Sequence, residues 1–265
     1  MTTGGLHGKW ALILGASSGF GAAAARELSK QGMHIIGVHL DRRGAMAGVE
    51  QLIKSIQDTG VQALFFNVNA ADPVKRQEVL DQVQPKLGGS TVTVLMHSLA
   101  FGTLKPYVTS DPKEQLTKDQ MEMTLDVMAN SLVYWVQDLL GRKLLGPGSR
   151  VFAMTSSGGT RVWPTYGAVS AAKAALESHI RQLALELAPY GVTANAIRAG
   201  VTDTPALRKI PGNEQMMELS KLRNPHHRLT TPEDVAKAMA VLANSGAEWL
   251  TGNTIGVDGG EDIVG

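Results

Sequence analysis

Short apolar runs alternate with longer helical patterns along the whole chain, and this alternation narrows the possible folds more than any other feature. Trp10–Leu14, Met33–Val38, Ala63–Val68, Val92–Met96, Arg150–Thr155, Val192–Ile197 and Thr254–Val257 read as seven strands. Most are nearly continuous apolar runs, the pattern of strands covered on both faces. Helical patterns fill the intervals: Phe20–Gln31, Ala45–Thr59, Pro73–Gln84, Lys118–Lys143, Tyr166–Pro189 and Thr231–Asn244. The last begins Thr-Pro-Glu-Asp, a capping residue, a proline at the first helical position and two acids at the positive end of the dipole. Such alternation predicts an α/β fold: one doubly wound domain over 1–265, with a seven-stranded, mostly parallel sheet and helices on both faces. Ligands of such sheets sit beyond the carboxyl ends of the strands.

Composition removes several functions. The chain has no Cys, which excludes a disulfide framework, a thiolate metal site and a thiol nucleophile. A net charge of +1 gives no global field for nucleic acid. No apolar run approaches the ~18 residues of a membrane span. Residues Met1–Lys9 lack the basic start and apolar stretch of a secretory signal. The expectation is a soluble cytoplasmic protein. His226-His227 has no third ligand at suitable spacing and reads as a solvated pair, so no metal is expected.

Glycine is in surplus, at 29 residues where ordinary usage gives about 19. Three of these residues follow the first strand in Gly15-Ala16-Ser17-Ser18-Gly19-Phe20-Gly21, which opens an Ala-rich helix. Glycines there allow a tight turn and let backbone N–H groups approach a pyrophosphate at the helix N-terminus. The spacing is G-x3-G-x-G rather than the better known G-x-G-x-x-G, and a glycine-rich turn without a ligand is the alternative; the place directly after the first strand favours the phosphate turn of a Rossmann-type domain. Gly158, Gly159, Gly200, Gly252, Gly256, Gly259 and Gly260 fall mainly near later strand ends.

The G-x3-G-x-G turn resembles that of the short-chain dehydrogenase/reductase superfamily, and further matches span nearly the whole chain. Asn67-Val68 is similar to its adenine-contact position. His97-Ser98-Leu99-Ala100 lies where the superfamily has Asn-Asn-Ala-Gly. Ala199-Gly200-Val201-Thr202-Asp203-Thr204 resembles its nicotinamide-side turn and phosphate-binding Thr. Trp249–Gly260 resembles its C-terminal strand.

The superfamily's usual Tyr-x3-Lys is absent, because Val169 precedes Lys173 by four residues. Tyr166 gives Tyr-x6-Lys instead. Steps of four and seven residues return to nearly the same helix face, about 60° apart, with the phenol moved about 4.5 Å along the axis. Tyr-x6-Lys resembles the enoyl-acyl-carrier-protein reductase branch, in its glycine-loop subtype. Ser156 stands ten residues before Tyr166, where many members of that branch have a second Tyr. It is a candidate substrate-oxygen donor, with Thr155 as its competitor. The superfamily's helix-four Asn aligns with Met128, whose thioether cannot donate a hydrogen bond. Asn130 lies about 200° round the helix and does not substitute for it. His97 reads as packing near the nicotinamide rather than as a proton donor.

By this resemblance Tyr166, Lys173 and Ser156 are the catalytic candidates. The cofactor would be held by Gly15, Ser17, Ser18, Gly19, Phe20, Gly21, Asp41, Arg42, Arg43, Asn67, Val68, Ser98, Leu99, Ala100, Tyr166, Lys173, Gly200, Val201, Thr202 and Thr204. A reduced nicotinamide would pass hydride to C3 of an enoyl thioester, and Tyr166 would hydrogen-bond the oxygen on which charge develops. Lys173 would hold the ribose hydroxyls. A carbonyl or 3-oxoacyl reductase is the nearest alternative, with Tyr166 as proton donor. A nicotinamide-binding sensor without catalysis is the alternative of another class.

Arg42 and Arg43 after the second strand suit the 2′-phosphate of NADPH, while His39 aligns with the position where NAD-specific members place an acid on the 2′-hydroxyl, and Asp41 comes two residues later. The arginine pair favours NADPH. Residues 205–228 contain Met216, Met217 and Leu219 after a Pro211-Gly212 break and read as a substrate flap or an ordinary packed helix. The resemblance implies an acyl substrate carried on acyl carrier protein, a role in fatty-acid synthesis and a homotetramer.

Overall fold

The computed structural model describes residues 5–264. Residues 1–4 and 265 of the expected 1–265 domain lie outside the described residues. The strands are β1 (Trp10–Leu14), β2 (His34–His39), β3 (Ala63–Asn67), β4 (Val92–His97), β5 (Arg150–Ser156), β6 (Thr193–Ala199) and β7 (Thr254–Val257). They form one sheet in the order β3-β2-β1-β4-β5-β6-β7. Every neighbouring pair is parallel, so the expected "mostly parallel" sheet is wholly parallel. Each connection carries a crossover rather than a hairpin, which removes the need for an antiparallel strand.

Helices cover both faces. On one side lie α1 (Gly19–Lys30), α2 (Met46–Gln57) and, late in the chain, α8 (Pro232–Ala243), packed through Leu28, Leu52 and Met239 onto Ile13 and Phe152. On the other lie α3 (Pro73–Val83), α4 (Lys118–Leu125), α5 (Ser131–Gly141) and α6 (Gly167–Leu187), packed through Leu80, Trp135 and Leu176 onto Leu12 and Val151. The central strands therefore bury both faces, which explains their unbroken apolar runs. The remaining helix, α7 (Asn213–Arg223), lies in the segment read as a flap.

Two starts follow from local sequence. Asp72 caps α3 by accepting from Val74 N and Lys75 N. Thr231 and Asp234 cap α8 reciprocally, as its Thr-Pro-Glu-Asp start predicts. The expected single helix Lys118–Lys143 is interrupted: Asp126–Asn130 forms a π-helical turn between α4 and α5. Its wider ring lets one residue bulge out, a device common beside functional sites.

The chain moves outward from β1 to β2 and β3, then returns to β4 on the other side of β1. The crevice beyond β1 and β4 is thus the topological switch point.

Candidate active site

At the switch point the backbones come very close. A Cβ added to Gly15 would stand 2.3 Å from Ser98 O, and Gly15 has φ +86°. No other residue fits there without opening the β1–β4 crevice. The helix beyond starts with Ser18, which makes no side-chain capping bond, and α1 has no acid in its first turn. Its first N–H groups are therefore available to an anion, at the positive end of the helix dipole. Gly15, Ser17, Ser18, Gly19, Phe20 and Gly21 all lie on this turn. Their arrangement fits a dinucleotide pyrophosphate.

A cavity of about 420 Å3 opens beside the turn. Phe20, Ser98, Leu99, Ala100, Ser156, Tyr166, Lys173, Gly200, Val201, Thr202 and Thr204 all line it. Five separate stretches of sequence thus converge on one space. Its volume lies within the range of small-ligand sites, about 300–1,000 Å3. Met128, Leu104, Val162 and Trp163 give it apolar walls. From the expected flap, Met216, Leu219, Ser220 and Arg223 reach it. Met217 does not line the cavity.

Tyr166 stands immediately before α6, and its carbonyl accepts from Ser170 N at 2.8 Å. The helical spacing to Lys173 therefore holds. Burial raises the phenol above its ordinary pKa, so it remains a hydrogen-bond donor at neutral pH. Gly158 makes room for the ring, since a Cβ there would meet Tyr166 Cε1 at 2.5 Å. The entry is strained: Thr165 has φ +64°, which is costly for a β-branched residue, and its buried hydroxyl finds no partner.

Lys173 is only 6% exposed, and its Nζ donates to Met154 O at 2.6 Å. Burial lowers its pKa to about 8, against the opposing pull of Glu177. Thr155 Oγ1 donates to Glu177 Oε1 at 2.7 Å and is thereby committed. Ser156 Oγ is buried and makes no hydrogen bond of normal geometry, although it lies close enough to oppose the phenol's shift. Of the two hydroxyl candidates, Ser156 is the one left free to donate.

Met128 is buried and lines the cavity. Asn130 instead faces α6, with Oδ1 3.1 Å from His179 Nε2. No amide replaces the thioether at that wall. His97 is fully buried, with Nε2 2.9 Å from Ser131 Oγ. Because the Ser131 hydroxyl donates to Val127 O, the histidine must be the donor in that pair. Burial, aided by the nearby Lys173 charge, lowers its pKa to about 3. The imidazole is neutral and lies behind the cavity wall.

The ends of β2 and β3 are clamped together. Asp41 N donates to Asn67 Oδ1 at 2.9 Å, and Asn67 Nδ2 donates to Asp41 O at 3.0 Å. His39 Nδ1 lies 2.9 Å from Asp41 Oδ2. These contacts turn Asp41 inward and engage the Asn67 amide, whose expected role was toward adenine. Val68 N bonds His39 O at 2.7 Å, which extends the strand pairing. Arg42 and Arg43 are exposed and have no ion-pair partner among the described residues. Sequence reading missed the His39 contact, since only the paired strand ends bring it to light.

Sequence reading also missed Glu261, which is 6% exposed, lines the cavity and accepts from Val201 N at 3.1 Å. Among the described residues no cluster of three or more potential ligands could hold a metal. No helix among them is long and apolar enough to cross a membrane.

Comparison with known proteins agrees with this geometry. Residues 15–261 match the family model described as Enoyl-(Acyl carrier protein) reductase. The chain is 28% identical to 1-cyclohexenylcarbonyl-CoA reductase of Streptomyces collinus, over 96% of this chain and 86% of that protein. It is also 28% identical to a 3-oxoacyl-[acyl-carrier-protein] reductase of Pseudomonas aeruginosa, over 96% of this chain and 98% of that one. The fold is similar to that of the enoyl-[acyl-carrier-protein] reductase (NADH) of Aquifex aeolicus, with a TM-score of 0.86, 24% identity and 99% of each chain covered. With a family match from the phosphate turn to the C-terminal turn, the chain belongs to the short-chain dehydrogenase/reductase family and is an oxidoreductase that resembles its enoyl-acyl-carrier-protein reductase branch.

Proposed function

We propose that this protein is an NADPH-dependent reductase of the C2=C3 double bond of enoyl thioesters, the enoyl-acyl-carrier-protein reductase step of fatty-acid synthesis. One observation carries the reading: Tyr166 and Lys173, seven residues apart, line one cavity whose neighbouring wall presents Met128. That wall offers no side-chain donor to support a proton-relay water. An enoyl reduction depends less on such a relay, because the oxygen is stabilised rather than protonated.

A bound NADPH would supply the hydride that C3 receives, and the resulting enolate would take a solvent-derived proton at C2 to complete the saturated thioester. Tyr166 donates a hydrogen bond to the thioester oxygen, where negative charge collects as C3 is reduced. The bond strengthens as the charge grows, so it stabilises the transition state more than the ground state. Lys173 holds the ribose hydroxyls and places positive charge nearby. The apolar walls exclude water and so strengthen both effects. Arg42 and Arg43 pair with a 2′-phosphate. Residues 205–228 close over the acyl chain, which arrives on acyl carrier protein, and the working form is a cytoplasmic homotetramer.

A second reading, 3-oxoacyl reduction, is favoured by the free Ser156 hydroxyl, which suits a ketone oxygen. The resemblance to the Pseudomonas 3-oxoacyl reductase also supports it. The test is product formation from crotonyl thioester with NADPH. Butyryl thioester, formed one-to-one with NADPH consumed, supports the enoyl reading. No reduction of crotonyl or longer trans-2-enoyl thioesters rejects it.

A further inference from the structure

The last turn of the chain reaches three walls of the cavity. Asp258 shapes it: Oδ1 accepts from Gly260 N at 2.9 Å and Oδ2 from Asp262 N at 3.3 Å. The first tie runs to the loop that leads into Tyr166. Arg161 Nη2 lies 3.0 Å from Asp262 Oδ1 and donates to Asp262 O at 2.8 Å. Asp262 Oδ2 is also 3.2 Å from Arg198 Nη1 on β6, which anchors that carboxylate to the sheet.

The second tie runs to the turn after β6, where Glu261 accepts from Val201 N. Gly200 lies directly against it; a Cβ there would stand 2.8 Å from Glu261 Oε2 and 2.4 Å from Thr230 Oγ1. The third tie holds the end of α7. Buried Asn224 donates from Nδ2 to Asp258 O at 2.8 Å and accepts from His226 N at 2.8 Å.

We infer that the turn Asp258–Asp262 is a positioning hub, in which Asp262 sets the loop that presents Tyr166 and Glu261 sets the turn Gly200–Thr204. The inference rests on the reading of Tyr166 as the working phenol. The first two ties are separable because Asp262 meets Arg161 through its carboxylate as well as its carbonyl, whereas Glu261 reaches Val201 N through its own side chain. Asp262 acts through Arg161 on residues 157–166, which already carry the strained Thr165. Glu261 acts on a backbone N–H that has no other acceptor among the described residues.

Two variants read the ties independently. Asp262→Asn speeds amide hydrogen exchange in 157–166 and leaves 200–204 unchanged; Glu261→Ala does the reverse. Asp262→Glu returns exchange in 157–166 toward the parent rate. With crotonyl or acetoacetyl thioester, whichever turns over, Asp262→Asn lowers kcat about ten- to a hundredfold, as misplacement of a reacting group does. Its NADPH dissociation constant stays at the parent value. Unchanged exchange in both segments, or equal acceleration of both by either variant, overturns the hub. Exchange needs no substrate, so its outcome stands even if neither thioester is reduced and the functional proposal fails.

Discussion

Lys173 Nζ donates to Met154 O across 2.6 Å, so the ammonium of α6 is tied to the backbone of β5, two residues before Ser156. The bond satisfies one of its three hydrogens on a side chain that is largely withdrawn from water. The charge is nonetheless costly there, and burial brings its pKa down to about 8.

That value gives a pH prediction. Below about 8 the lysine is charged; above it the charge is lost, and with it a stabiliser of the developing anion. The specificity constant for the cofactor, which reports the free enzyme, should fall as pH rises through about 8. Tyr166 does not confuse this limb, because burial moves its ionisation upward. His97 is already neutral throughout that range. Glu177 supports the charge, so Glu177→Gln should move the limb to lower pH. A limb that stays in place in this variant contradicts the assignment.

Tyr166→Phe removes a donor that acts mainly in the transition state. Turnover should fall by about 10²–10³, the usual cost of one such donor. NADPH affinity, measured by titration without substrate, should change little. Parent-like turnover in the variant is incompatible with the role given to Tyr166.

At the adenosine end, Asp41 is held inward by His39, while Arg42 and Arg43 stand free of ion pairs among the described residues. Replacing both arginines with alanine should weaken NADPH binding by about 2–4 kcal/mol, at roughly 1–2 kcal/mol for each lost charge-assisted bond. NADH should be almost unaffected. Equal losses for the two cofactors in parallel titrations would show that neither arginine reads the 2′-phosphate.

The order of strands and helices was legible because each central strand must be apolar on both sides and each helix on one. Trp10–Leu14 and Thr254–Val257 have the expected bounds, and the other strands differ at their ends. β2 begins at His34 rather than Met33, and β6 runs on to Ala199, because pairing with neighbours sets the ends. The glycine turn was legible because its chemistry is local. The π turn at Asp126–Asn130 was not: its residues have ordinary helical character, and nothing in their spacing marks the turn that packs against α6. Nor were Asp41–His39, Glu261–Val201 and Asp262–Arg161. The first joins the last residue of β2 to a carboxylate two residues on, and nothing in so short a span shows which way the two side chains turn. The others join residues far apart in the chain, and such pairs leave no periodic trace.

The most direct test sets the two substrates against each other. Crotonyl and acetoacetyl thioesters of the same carrier are mixed at equal concentration with NADPH, and the products are resolved by mass. The ratio in which they form gives the ratio of specificity constants. The enoyl reading predicts butyryl thioester as the main product, with 3-hydroxybutyryl thioester the lesser. Predominant 3-hydroxybutyryl thioester would contradict it and assign the cavity, with its free Ser156 hydroxyl, to ketone reduction.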